Sequence, residues 1–133
     1  MRYLLDTNIC IYIIKKKPLE VLNRFRQHQV GDLGISSITL SELMHGIAKS
    51  SRPEQNHQAL EAFILPLIVA PYDEEAAFHY GEIRAHLERS GTPIGAMDML
   101  IAAHARALGI TLISNNLREF ERVQGLSLEN WVT

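Results

Sequence analysis

At 133 residues, with 47% hydrophobic and 21% charged side chains, the chain has the make-up of an ordinary globular protein and can bury a full core as one domain. A net charge of −2, from 13 Lys plus Arg against 15 Asp plus Glu, excludes a protein that grips nucleic acid by bulk phosphate neutralisation; such contact would need a local basic patch, a bound metal or a partner subunit. The longest apolar run, Phe63 to Ala70, is broken by Pro66 and too short to span a membrane. The first residues lack a signal-peptide pattern and the lone Cys10 rules out an internal disulfide, so a cytoplasmic location is expected.

No repeat, low-complexity tract or linker interrupts the chain. A short apolar strand, Tyr3 to Leu5, stops at Asp6, and a helix is expected from about Ile9 to Lys16 with Thr7 or Asn8 as its cap. Pro18 suits the first turn of a second helix reaching about Gln27, with Leu19, Leu22 and Phe25 inward. Gly31 and Gly34 mark a strand near Leu33 to Ser36. A helix is then read from about Thr39 to Ser50, and Ser51-Arg52-Pro53-Glu54 starts another to about Ile64. Leu67 to Ala70, closed by Pro71, is the third strand. Asp73 caps a long helix to about Ser90, striped by Ala76, Tyr80, Ile83 and Leu87 and stopped by Gly91. The next helix, about Ala96 to Leu108, ends at Gly109 as its C′ residue. Ile110 to Ile113 is a strand, Leu117 to Glu121 a short helix and Leu126 to Leu128 a last strand. Tyr12, Phe25, Phe63, Phe78 and Tyr80 recur at helical spacings and read as core. Strands alternating with helices predict an α/β fold with a central parallel sheet of about four or five strands covered on both faces. In such sheets the functional crevice lies beyond the carboxyl ends of the strands.

That rule selects a set of acids. Asp6 follows the first strand, Glu42 and Asp98 sit in the first turns of their expected helices, and Asn116 and Glu119 straddle the turn after the Ile110–Ile113 strand. Each has a local explanation: Asp6 and Asp98 offset helix dipoles, Glu42 closes a capping box with Thr39, and Asn116 caps a helix. Together they lie near one end of the sheet, where converging carboxylates repel unless protons or a cation neutralise them. A carboxylate cluster without basic partners suits Mg²⁺ or Mn²⁺, which can support phosphodiester hydrolysis. The histidines form no His-Glu-x-x-His, and there is no paired cysteine, Gly-rich phosphate loop or Gly-x-Ser-x-Gly elbow. Cys10 reads as a small buried hydrophobe. The Lys15-Lys16-Lys17 run and the Arg24/Arg26 pair read equally as a basic patch or as solvated helix ends. A phosphatase using Asp6 as covalent nucleophile would want a second aspartate where Asn8 stands.

Leu4-Leu5-Asp6-Thr7-Asn8, Ile35-Ser36-Ser37-Ile38-Thr39-Leu40-Ser41-Glu42-Leu43 and Gly95-Ala96-Met97-Asp98-Met99-Leu100-Ile101-Ala102 resemble the PIN-domain ribonucleases, and more closely the VapC toxins of bacterial VapBC toxin–antitoxin pairs. Gly91-Thr92-Pro93-Ile94-Gly95 and the segment from Asn115 to Arg122 look like the VapC subgroup that cuts initiator tRNA. The resemblance runs from Met1 to about Trp131 as a single PIN domain. It implies a metal-dependent endoribonuclease whose acidic pocket holds Mg²⁺, with Mn²⁺ as substitute. Asp6 and Asp98 match the metal-binding aspartates, Glu42 the acid between them, and Thr7 a supporting hydroxyl. Many PIN domains place another aspartate after the last core strand. This chain has Ser114-Asn115-Asn116 there, so Glu119 is expected to supply the fourth carboxylate, with Ser114 and Asn116 supporting. The resemblance further implies the toxin of a type II toxin–antitoxin system. It would form a homodimer, blocked by a VapB-type antitoxin in a heterotetramer or larger assembly, and would touch DNA only through the antitoxin. Its RNA substrate would be tRNA(fMet), cut in the anticodon stem-loop; another tRNA, ribosomal RNA or a non-catalytic PIN-fold binding protein are the alternatives.

Overall fold

The computed structural model describes residues 1–133. Strands β1 (Tyr3–Leu5), β2 (Leu33–Ser36), β3 (Ile68–Ala70), β4 (Thr111–Ile113) and β5 (Leu128–Glu129) form one five-stranded sheet in the order β3-β2-β1-β4-β5. Every pairing is parallel. The helices are α1 (Thr7–Lys15), α2 (Leu19–Arg26), α3 (Ser37–Ala48), α4 (Pro53–Ile64), α5 (Glu74–Arg89), α6 (Ala96–Leu108) and α7 (Leu117–Phe120).

Side chains alternate across a strand, so a sheet buried on both faces needs consecutive apolar residues. In β1, Leu4 packs with Ile83, Leu87 and Ile101 beneath α5 and α6, while Leu5 packs with Ile9, Val21 and Leu60 beneath α1, α2 and α4. Leu112 and Ile113 divide between the two cores in the same way. Cys10 lies wholly inside the α1 core, where burial pushes its thiol well above the ordinary range, so it behaves as a small hydrophobe. The expected stripe on α5 is realised in Ala76, Ile83 and Leu87, and Gly109 ends α6 in the left-handed conformation (φ 68°) that favours glycine.

Several local expectations are corrected. Asp6, rather than Thr7 or Asn8, caps α1, its Oδ1 accepting the Ile9 N–H at 2.9 Å. Ser36 caps α3 directly at the end of β2, its Oγ accepting the Ile38 N–H at 3.0 Å. The helix therefore starts two residues before Thr39, and Glu42 falls in its second turn, out of reach of a capping box. Pro18 sits at the cap of α2 instead of inside its first turn. The last strand lies at Leu128–Glu129 because its register is set by Leu112 and Ile113 across the sheet. Phe78 is not core: it is 64% exposed on the outer side of α5.

Chain direction fixes where the crevice opens. From β1 the chain builds outward through β2 to β3, then crosses back to place β4 on the other side of β1. The reversal makes β1 and β4 the switch point, and the cleft lies beyond their carboxyl ends.

Candidate active site

Asp6 and Ser114 are the residues immediately beyond β1 and β4, side by side at this switch point. The Asp6 N–H continues the ladder by donating to the Ile113 carbonyl at 3.0 Å. Asp6 is 4% exposed; burial pushes its carboxyl up to about 6, against the lowering effect of hydrogen bonds from Ser114 and the Ile9 amide, and the Glu42 charge adds to the rise.

Glu42 enters from α3. The Thr7 hydroxyl donates to its Oε1 at 2.5 Å, and Thr39, fully buried, has its Oγ1 3.5 Å from that of Thr7. The residue read as a local cap is thus joined to a side chain 35 positions away in sequence. Asp98 enters from the first turn of α6, whose cap, Gly95, offers no side chain. Its carboxyl is also pushed up to about 6, by burial first, then by the hydrogen bond and charge of Glu119, then by the charges of Asp6 and Glu42. Asn116 Nδ2 spans Asp98 Oδ2 (3.5 Å) and Glu119 Oε2 (3.2 Å), while the Asn116 N–H donates to Ser114 Oγ at 2.9 Å.

The structure therefore brings Asp98 within electrostatic reach of Glu119, Asp6 and Glu42, and Asp6 within reach of Glu42, with Thr7, Ser114 and Asn116 bonded among them. No salt bridge involves any of these acids. No three of them stand close enough to enclose an ion by themselves. Sequence reasoning missed Thr39, and it missed Asn115, whose Nδ2 donates to the Tyr12 hydroxyl at 3.1 Å and ties the β4–α7 turn to α1. Tyr12 was legible only as one more aromatic at helical spacing.

Two consequences follow from these bonds. Thr7→Val removes the hydroxyl that orients Glu42, and we expect catalysis at this site to fall about 10-fold while stability changes by less than ~1 kcal/mol, as read from kcat and urea unfolding. Asn116→Asp replaces a donor with a further acid between Asp98 and Glu119. The metal-free protein should lose roughly 1–2 kcal/mol at pH 8 by urea unfolding, with Mn²⁺ restoring more stability than it adds to the wild type.

The PIN domain family matches residues 3–126. The chain is 51% identical over 132 residues to ribonuclease VapC2 of Haemophilus influenzae, covering 99% of both chains. It is 50% identical over 131 residues to the tRNA(fMet)-specific endonuclease VapC of Shigella flexneri, covering 98% of each. Among solved structures it superposes on DNA-bound VapBC from Salmonella typhimurium with a TM-score of 0.94 at 48% identity over 99% of both chains. The corresponding TM-score is 0.91 at 42% identity for VapBC2 from Rickettsia felis bound to a promoter DNA fragment, over 99% of this chain and all of that one. The chain belongs to the PIN-domain family, in its VapC ribonuclease branch. Ribonucleases of the PIN family depend in general on a divalent metal ion. No helix is long and apolar enough to cross a membrane.

Proposed function

We propose that this chain is the toxin of a type II toxin–antitoxin pair, a Mg²⁺-dependent endoribonuclease that cuts initiator tRNA in the anticodon stem-loop to stop translation. The observation that carries the chemistry is the meeting of Asp6, Glu42, Asp98 and Glu119 at the switch point with no basic partner. The substrate reading is supported by the relatives from Shigella flexneri and Salmonella typhimurium, 50% and 48% identical to this chain and known as tRNA(fMet)-specific endonucleases.

The donor set fits a hard cation. It offers only oxygen, and two of its carboxyls are pushed up to about 6, by burial first and then by the neighbouring acids. Mg²⁺ is a hard cation of this kind, which keeps most of its water shell and takes one or two carboxylates. Asp6 and Asp98 would hold it, with Glu42 directly or through water. When bound, the ion neutralises charge at the scissile phosphate and makes water a better nucleophile. The protein's own part is placement. The Ile9 N–H fixes Asp6, the Thr7 hydroxyl fixes Glu42, and Asn116 keeps Asp98 and Glu119 together. Water attacks the phosphorus in line as the 3′ oxygen leaves, giving 5′-phosphate and 3′-hydroxyl ends.

Partner binding has support at the rim of the site. An apolar furrow between α1, α3 and α4, lined by Ile11, Ile14, Leu43, Ile47 and Leu60, runs up to Glu42. A VapB-type antitoxin segment lying there would bring a basic residue to the acids, where charge-assisted bonds are strong. The toxin would be a homodimer, forming a heterotetramer or larger complex that meets DNA only through the antitoxin.

The test is a panel of purified tRNAs and ribosomal RNA incubated with the protein. Initiator tRNA should be cut at one place in its anticodon stem-loop, cleavage should stop with EDTA and return with Mg²⁺ or Mn²⁺, and saturating cognate antitoxin should abolish it. Cleavage indifferent to EDTA, or none of any RNA with either metal, refutes the enzyme; uniform cutting across the panel refutes the substrate.

A further inference from the structure

Behind the acids lies a buried polar junction that the chemistry above does not use. Ser36 Oγ, which caps α3, is 2.7 Å from Nδ1 of His104 on α6, 68 residues away in sequence. Ser36 is fully buried and His104 is 1% exposed. The ring also lies near the Pro71 carbonyl, in the turn between β3 and α5, and meets the Tyr72 ring edge-on at 5.6 Å. The Tyr72 N–H in turn donates to Ser37 Oγ at 3.0 Å.

The directions of these bonds can be assigned. A carbonyl only accepts, so the single N–H of a neutral ring is Nε2–H, turned to Pro71, and Nδ1 is an acceptor. Ser36 Oγ accepts from Ile38, leaving its own proton for Nδ1. Burial disfavours the charged ring, in keeping with the neutral form. The donors thus run from the Ile38 N–H to Ser36 and from the Ser36 hydroxyl to His104.

This is the one side-chain hydrogen bond that joins α6 to α3 or its cap. The other buried residues of α6 are all apolar: Met99, Ile101, Ala102, Ala103 and Ala105. Apolar packing fills volume but leaves rotation and register loosely determined, whereas a hydrogen bond is directional. Glu42 sits on α3 and Asp98 on α6, so the distance between them depends on how those helices are held.

We propose that His104 is a positioning residue for RNA cleavage: by accepting the Ser36 hydroxyl it sets α6 against α3, and so sets Asp98 against Glu42. The inference rests on the reading of those two acids as active-site groups, and the test separates the two. Cleavage by the full-length protein is measured as kcat and KM on the RNA it cuts, beside Mn²⁺ binding by electron paramagnetic resonance, for His104→Leu, His104→Gln, Ser36→Ala, Ser36→Thr, the Ser36→Ala/His104→Leu pair and Asp98→Asn. His104→Gln keeps a donor for Pro71 but cannot accept at the Nδ1 position, and it is read alone should His104→Leu not fold. A misplacement on the ångström scale costs up to about 100-fold in rate, so kcat should fall roughly 10- to 100-fold in either His104 variant with KM within about 3-fold of wild type. Mn²⁺ should bind several-fold more weakly, Ser36→Thr should keep near-wild-type kcat, and the double variant should be no worse than His104→Leu, because the two side chains act as one unit. Ring ¹⁵N spectra of the wild type should show the Nε2–H tautomer. Wild-type kcat and Mn²⁺ affinity in both His104 variants, with Asp98→Asn inactive, overturns the positioning role and leaves the site reading intact. Additive losses, a rise in KM alone or the Nδ1–H tautomer also overturn it. Full activity in Asp98→Asn instead overturns the site reading, and this proposal with it.

Discussion

Asp6→Asn should lower RNA cleavage by three or more orders of magnitude and yet make the metal-free protein more stable than wild type at pH 8. Both effects come from one buried carboxyl. Loss of a charged metal ligand removes stabilisation that is largest in the transition state, which is why a rate loss of about 10³-fold or more is expected. The stability effect follows from proton linkage. The Asp6 carboxyl sits at about 6 in the folded chain, against 3.8 when exposed, so folding favours its neutral form. A group raised in this way contributes its full stability below the lower value and loses it as pH climbs through the higher one. The displacement corresponds to about 3 kcal/mol, lost between roughly pH 4 and pH 7. Asparagine stays neutral throughout and can still cap α1, since its side-chain oxygen accepts the Ile9 N–H as aspartate does. Urea unfolding from pH 5 to 8 in EDTA should show wild-type stability declining with pH and a flatter profile for Asp6→Asn. Asp98, also pushed up to about 6, should leave the variant with some residual slope. Adding Mn²⁺ at pH 8 should stabilise the wild type and not the variant. An Asp6→Asn protein that cuts RNA at the wild-type rate would sink the site; an unchanged pH profile would sink the electrostatic account.

Trp131→Ala should cost about 3–5 kcal/mol, a large part of the whole stability of a domain this size. Trp131 lies next to the end of the chain but is fully buried, in the core under α1, α2 and α4. Its ring stacks on His28 at 5.4 Å, its Nε1 donates to Glu129 Oε2 at 2.9 Å, and the Arg24 guanidinium lies over it at 5.7 Å. Glu129, in β5, also meets Arg24 at 3.5 Å. Removing the indole leaves a large void and frees the terminal segment from α2 and the sheet edge, so the urea midpoint should drop steeply by circular dichroism. Trp131→Phe should retain most of the stability, losing the Nε1 bond and some packing. Because Trp131 forms no hydrogen bond or ring contact with Asp6, Glu42, Asp98 or Glu119, kcat of the folded fraction should not change. A loss below about 1 kcal/mol for Trp131→Ala would mean that the C-terminal segment is not part of the cooperative unit.

Arg24 is the cation that this arrangement engages. It is occupied by Glu129 and Trp131, so the basic patch read from Arg24 and Arg26 is partly consumed by structure.

What the sequence alone determined is whatever depends on period and order. Paired apolar residues in Leu4-Leu5 and Leu112-Ile113 require a sheet covered on both faces, and strands alternating with helices require that sheet to be parallel. Once that holds, residues just beyond the strands must gather at one edge, so Asp6 and the turn after β4 could be singled out without coordinates, while Asp98, which follows α5 and not a strand, rested on the family resemblance. The tertiary structure decided the pairings. Thr39-Leu40-Ser41-Glu42 satisfies a capping box on paper, but Ser36, at the very end of β2, captures the helix start first and turns Glu42 toward Thr7. Nothing in the sequence set His104 apart from the other histidines until α6 packed its ring against Ser36, 68 positions back along the chain. Local rules describe which bonds a short segment can make. Which of them it does make depends on competition with groups that only folding brings near, because a buried polar atom takes whatever partner the packing leaves within reach.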